Sequence, residues 1–300
     1  MAANTRDIRR RIKSIKNTAQ ITKAMQMVAA SKMRKAQAAA LAGRPYASLL
    51  NKVLASLGGL TAGDESSHEL LKNRPGGKEL VLLVSTDKGL CGALNTNLLR
   101  EAAKFDPANT IFVAVGRKGM QYLARNKRNV VADFELKDNF TFLDSKAVSR
   151  FCMEKFLSGE VNKVTVLFTD FVNTLTQTPR SRTVLPVSSL DATISVPKNV
   201  AEKAETVSAD HGAAATEYLF EPSAADVLSG ILPHYVHFQV YQMILDSRAS
   251  EHSARMVAMK SATDNAKQLI KDLTLEYNKV RQASITTELL EISTAQMALG

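Results

Sequence analysis

Glycine and proline are missing from both ends of the chain: apart from the terminal Gly300, all of them lie between Gly43 and Pro233. Nothing in residues 1–42 or 234–299 removes a backbone donor or offers a cheap left-handed stop, so each stretch is predicted to run as unbroken helix. At ~1.5 Å per residue the longer arm would span roughly 100 Å, more than a compact domain of this size needs. Tryptophan is absent and aromatics make up 6% of the residues, which excludes a thick aromatic core. The 45% hydrophobic content is largely Ala, Leu, Val, Ile and Met, small or flexible residues suited to close helix pairing. The only cysteines, Cys91 and Cys152, form no CxxC pair and follow no secretory leader, which argues against a disulfide framework and for reduced thiols.

Acidic residues are missing from Ile8 through Gly63. The first 63 residues hold twelve Lys or Arg against Asp7 alone, so this stretch carries +11 and the remainder of the chain sums to −1. A solvated helix face usually mixes both signs; an acid-free run implies an acidic partner, whether nucleic acid, anionic lipid or a protein surface. A transit peptide would account for roughly the first 30 residues only, and the pattern continues without a seam to Leu57. The longest uncharged run, between Asp226 and Asp246, contains His234, His237, Gln239 and Gln242. It is too polar for a membrane span and is expected to pack on protein.

The motifs that would mark an enzyme are also missing. There is no GxGxxG and no GxxxxGK[ST], so the geometry that cradles a pyrophosphate is not encoded. Asp87, Lys88 and Cys91 share a loop but have no histidine close in sequence, and a tight turn around a buried structural cysteine is the better reading. His234 and His237 share a helix face with no cysteine or carboxylate to complete a metal set. No catalytic, cofactor-binding or metal site is expected.

A long heptad pattern is present. On the first arm Ile8, Ile12, Ile15, Ala19, Thr22, Gln26, Ala29, Met33 and Ala36 alternate at spacings of four and three, with Ile21, Met25 and Val28 as a second row beside them. Leu245, Ala249, His252, Met256, Met259, Thr263, Ala266, Ile270, Leu273, Tyr277 and Val280 repeat the alternation on the last arm. An average period of 3.5 keeps one seam facing a partner helix, so coiled-coil packing is predicted. The arms can pair with each other as an antiparallel hairpin, or each can pair in a symmetric dimer.

Between the arms, strand-like runs at 79–85, 110–116, 130–136, 162–170 and 181–187 alternate with helical candidates near 93–104, 118–126 and 145–158. That rhythm predicts a central Rossmann-like α/β domain around a mostly parallel sheet. The expected organisation is an N-terminal helix over 1–58, a central domain over 59–217 with a mobile connector at 198–217, and a C-terminal helix over 218–300. From residues alone, a mechanical or scaffold protein is the best-supported class. A basic coiled-coil scaffold or a nucleic-acid-binding protein is the alternative, although no reading motif accompanies the basic arm.

The run Ile21-Thr22-Lys23-Ala24-Met25-Gln26-Met27-Val28-Ala29-Ala30-Ser31-Lys32-Met33-Arg34-Lys35 resembles the first-helix signature of the gamma subunits of F-type rotary ATP synthases. Asp87-Lys88-Gly89-Leu90-Cys91-Gly92 is similar to a turn in that family's central domain. Tyr218-Leu219-Phe220-Glu221-Pro222, Arg255-Met256-Val257-Ala258-Met259-Lys260 and the stretch from Tyr277 to Ile292 resemble its C-terminal half. The motifs follow in order along nearly the whole chain. The tip departs from the pattern, with Ala295-Gln296 where the family has Gly-Ala.

The resemblance implies a central shaft in a ring of alternating alpha and beta subunits, with catalysis on the beta subunits and the α/β domain as a foot on the membrane c-ring. It assigns Met25, Arg255, Gln282, Thr286 and Glu288, with Arg281 beside them, to coupling between shaft and ring. It turns the basic arm, including Lys23, Lys32, Arg34 and Lys35, toward acidic loops of the beta subunits. Tyr218 and Glu221 match the foot region that meets the c-ring and the epsilon subunit. No cofactor and no nucleic acid are implied. With no separable leader, the expected location is the cytoplasmic face of a bacterial inner membrane.

Overall fold

The computed structural model describes residues 5–61, 68–74, 76–187 and 220–299. The expected connector at 198–217 lies outside them. The chain divides into two units, Met1–Ala30 with Arg255–Gly300, and Ser31–Ala254.

The unit Ser31–Ala254 is built on one sheet. Strands β1 (Glu79–Val84), β2 (Thr110–Val115), β3 (Val130–Phe134), β4 (Lys163–Phe171) and β5 (Gln177–Leu185) lie in the order β3-β2-β1-β4-β5. The first four are parallel to their neighbours and β5 returns antiparallel along β4. Near-continuous Val, Leu, Ile and Phe in β1, β2 and β4 reflect burial on both faces, as a parallel sheet requires. Leu80, Leu82 and Val84 point into one core, while Val81 and Leu83 point into the other.

Helices α3 (Leu94–Ala103) and α4 (Arg117–Arg125) cover one face through Leu98, Ala102 and Leu123. The other core takes Val148, Cys152 and Phe156 of α5 (Phe142–Leu157), and Leu50, Leu54 and Leu57 of α2 (Arg44–Thr61). Thr141 starts α5 with a reciprocal capping box to Asp144. Strand β5 begins at Gln177, earlier than the expected 181, and so contains Pro179. A proline is tolerated there because β5 is the edge strand among the described residues, with no described strand on its outer side to need the missing donor.

The two end helices fill the glycine- and proline-free stretches. Helix α1 covers Thr5–Ala42 and stops at Gly43, and α2 follows at once with Pro45 in its first turn. Helix α6 covers Ala224–Leu299, ten residues longer at its start than the breaker-free stretch. Ser223 caps it by accepting from the Asp226 N–H at 3.1 Å. Pro233 lies inside this helix, at a cost of about 3 kcal/mol for a proline in a helix interior. Burial of Leu228, Leu232, Tyr235 and Val236 in the sheet's core offsets it. The uncharged run is thus packed on protein, as its polarity implied.

In the unit of Met1–Ala30 and Arg255–Gly300, α1 and α6 run side by side. Ile8, Ile12, Ile15, Ala19, Thr22, Gln26 and Ala29 are all buried or half-buried, and so are Met256, Met259, Thr263, Ala266, Ile270, Leu273, Tyr277 and Val280. Thr22 Oγ1 lies 2.8 Å from Thr263 Oγ1 and fixes the register. An antiparallel pairing through that point sets Ile8 level with Tyr277 and Thr5 level with Val280. Every residue of α6 described from Arg281 through Met297 is exposed, as this register requires. One partner helix covers one stripe only, so Ile21 and Val28 of the second row remain 61% and 55% exposed.

Candidate functional site

An open α/β sheet offers ligands one place, the crevice beyond the carboxyl ends of the strands where the strand order reverses. Here that point lies between β1 and β4, because β2 and β3 were laid down on the other side of β1. The crevice is filled by the chain's own α6. Arg248 donates from Nη2 to Leu136 O at 2.8 Å, just beyond β3, and to Asp87 Oδ2 at 3.2 Å, just beyond β1. Its Nη1 donates to Glu251 Oε2 at 3.0 Å. Ser250 Oγ donates to Thr169 O of β4 at 3.0 Å, and Ser253 Oγ to Thr174 O in the β4–β5 turn at 2.8 Å.

The Arg248 and Glu251 side chains are 6% and 4% exposed, so both charges are withdrawn from water and depend on each other. Burial alone would lower the guanidinium's affinity for its proton; Glu251 and Asp87 outweigh it and raise the pKa. Asp87 Oδ1 also accepts from the Arg117 N–H at 3.2 Å, at the first residue of α4. The rest of that turn is tied internally: Thr86 Oγ1 donates to Lys88 O at 2.8 Å, and Asn95 Nδ2 donates to Thr86 Oγ1 and to Cys91 Sγ. Cys91 is 2% exposed, so the structural reading of the turn stands. Desolvation pushes the Cys152 thiol up to about 12, far from nucleophilic use. His237 is bonded to Ser149 Oγ at 2.6 Å through Nδ1, which gives it a structural task.

The residues assigned to coupling fall in the coiled-coil unit. Met25 and Arg255 are half-buried within its paired length. Arg281, Gln282, Thr286 and Glu288 are exposed on the length of α6 beyond Thr5, where α1 supplies no neighbour. Gln282 and Thr286, four apart, share one face, and Thr286 Oγ1 donates to Gln282 O at 2.9 Å. Arg281 and Glu288, seven apart, share another, with Glu288 Oε1 accepting from Ser284 Oγ at 3.2 Å. Ile285, Leu289, Leu290, Ile292 and Met297 add 47–81% exposed apolar side chains to the same segment.

The basic arm is not one continuous display. Lys23 is exposed and donates to Gln26 Oε1 at 3.3 Å in the coiled-coil unit. In the sheet-bearing unit Lys32 pairs with Asp138 Oδ2 at 2.5 Å, and Arg34 and Lys35 are exposed. The Lys32 hydrogen bond holds the Asp138 carboxyl below the usual carboxylate range. Glu221 is exposed just before α6; Tyr218 lies outside the described residues. The sequence reading missed the Arg248, Glu251 and Asp87 cluster. No local signal marked it: Arg248 and Glu251 stand beside the seam positions Ala249 and His252, where charge is ordinary, and Asp87 is joined to them only by the fold.

A family model described as ATP synthase matches residues 4–299. The ATP synthase gamma chain of Methylacidiphilum infernorum is 52% identical over 303 residues, covering 99% of this chain and 100% of that one. That of Opitutus terrae is 48% identical over 298 residues, covering 99% of each. Among solved structures, the rotor of the Euglena gracilis mitochondrial ATP synthase aligns with a TM-score of 0.63 at 18% identity, covering 94% of this chain and 98% of that chain. The central stalk and c-ring of the Tetrahymena thermophila enzyme aligns at 0.56 and 24% identity over 81% of this chain and 99% of that chain. At these identities the structural likeness bears on the fold.

Proposed function

Because the chain belongs to the family of ATP synthase gamma chains, and with it forms the central rotating shaft of that complex, we propose how its parts carry the task. The coiled coil turns inside the catalytic ring, and the ring's beta subunits perform ATP synthesis and hydrolysis. Proton flow through the membrane c-ring drives the turning, and the sheet-bearing unit is the foot that meets the c-ring and the epsilon subunit. Rotation brings different side chains of the coil to each catalytic site in turn, and differential contacts shift the sites' nucleotide affinities. The chain needs no active site for this. The filling of the strand-end crevice by Arg248, Ser250, Glu251 and Ser253 supports that reading, since it occupies the place where an α/β sheet would take a nucleotide.

The observation that carries the proposal is the bare end of α6. Beyond the level of Thr5 it continues as helix from Arg281 with every side chain described through Met297 exposed, apolar ones included. A helix with nothing to bury its face is not stable in water on its own, so it is shaped for a surrounding sleeve. Lys23, Arg34 and Lys35 then serve acidic loops of the beta subunits. Screened charge contacts across a Debye length of about 8 Å are soft, so packing by Met25 and its neighbours must carry much of the load. In this reading the chain works with its complex at the cytoplasmic face of a bacterial inner membrane. Among the described residues no helix is long and apolar enough to cross a membrane.

Met25→Lys tests the assignment. It puts a cation at a half-buried position of α1, and in reconstituted vesicles it is expected to leave ATP hydrolysis in place while reducing proton pumping at an equal hydrolysis rate. Unchanged pumping per ATP would remove Met25 from the coupling surface.

A further inference from the structure

We propose that Arg248 is a positioning residue for torque: it fixes the rotational setting of α6 on the sheet, so that the sheet-bearing unit cannot slip around the helix it turns. The inference rests on the shaft reading and concerns contacts inside the unit Ser31–Ala254.

Most of the interface between α6 and the sheet is apolar, through Leu228, Leu232, Val236, Val240 and Ile244. Such burial is non-directional; it resists separation of helix from sheet far better than rotation of the helix about its own axis. The directional contacts described between α6 and the strand ends lie in one short stretch, while nearer the start of α6 His237 bonds Ser149 of α5. The Arg248 fork ties α6 to Asp87 and to Leu136 O, beyond two different strands. Ser250 and Ser253 add Thr169 O and Thr174 O on a third. Asp87 extends the tie to the first N–H of α4. Three strand ends are thus held by three side chains, Arg248, Ser250 and Ser253, within one six-residue stretch of α6.

The chemistry points the same way. A buried ion pair is a poor source of net stability compared with apolar residues of the same volume, but it is a strict source of geometry. A guanidinium meets a carboxylate and a carbonyl in one fixed plane, which an ammonium on a flexible stem does not reproduce. Arg248 is therefore suited to setting an angle and ill suited to adding stability.

The test uses the complete complex in proton-tight vesicles, with proton pumping compared at matched ATP hydrolysis rates and thermal unfolding of the complex followed in parallel. The variants are Arg248→Lys, which keeps the charge and loses the fork, and Arg248→Met with Glu251→Leu, which removes the buried Arg248–Glu251 pair and leaves the 20% exposed Asp87 carboxylate to water and the Arg117 N–H. The expected result is retained hydrolysis and an unchanged unfolding midpoint with loss of pumping in both, and less loss for Arg248→Lys. Full pumping in the double variant would overturn the proposal. So would failure of both variants to assemble, because the cluster would then be needed for folding and not for orientation. The wild-type control separates the two levels: a wild-type complex that hydrolyses ATP without pumping contradicts the shaft reading itself, not Arg248.

Discussion

His237 shows what a single buried side chain does to the whole. Burial is the main cause that pulls its pKa down to about 4 from an ordinary 6.5, assisted by the positive charges of Lys146, His234 and Arg150. The folded chain therefore keeps the imidazole neutral over a range where the unfolded chain protonates it. Between pH 6.5 and about 4 the unfolded state binds the additional proton, so stability falls as the pH is lowered through that window. Thermal midpoints measured across it are expected to decline, and His237→Asn is expected to flatten the slope by about one proton's worth. An identical slope in the variant would place the acid sensitivity elsewhere. Asp138 acts in the same sense at lower pH: its carboxyl is held down by Lys32, and that contribution is lost only as the pH drops below the ordinary carboxylate range.

At the scale of the elements, the seam was legible because it obeys a period. Each heptad position picked out on the two arms is buried or half-buried, from Ile8 to Ala36 and from Leu245 to Val280. Strands β1, β2 and β4 were legible for the same reason, as unbroken apolar runs buried on both sides. What period does not encode is a choice made by tertiary burial. The start of α6 at Ala224 runs through Gly230 and Pro233 because Leu228 and Leu232 are drawn into a core that the local sequence does not contain. The Arg248 cluster was illegible for a related reason, since its partners Asp87 and Leu136 are joined to it only by the fold. The residues named for coupling came from family resemblance and not from any local physical signal; Gln282 and Thr286 are ordinary exposed polar residues in isolation.

The hydroxyl pair in the seam allows a test at this scale. Thr22 and Thr263 meet at 2.8 Å, and each also bonds a carbonyl of its own helix, Ala19 O and Met259 O. Replacing both partners by isosteric apolar groups is close to neutral or stabilising, whereas one polar pair at a seam position specifies register. Thr22→Val combined with Thr263→Val is expected to leave the thermal midpoint unchanged or raised, followed by helical circular dichroism. A clear drop would make the pair a stabiliser and not a register pin.

For the whole molecule, the distribution of breakers divides the labour. The ends lack glycine and proline and form the helices of a shaft; the punctuated middle forms an α/β body whose ligand crevice is closed by its own chain. The charge asymmetry belongs to the first arm, where Lys32 pairs with Asp138 within the chain and Lys23, Arg34 and Lys35 are exposed. A central shaft must turn within a ring that hydrolyses ATP. The direct measurement fixes the ring to a surface and attaches a bead to a cysteine introduced at Lys104, which lies just beyond α3 and is exposed. On addition of ATP, the bead is expected to rotate stepwise in one direction. Sustained ATP hydrolysis by the same complexes with a stationary bead would contradict the shaft function.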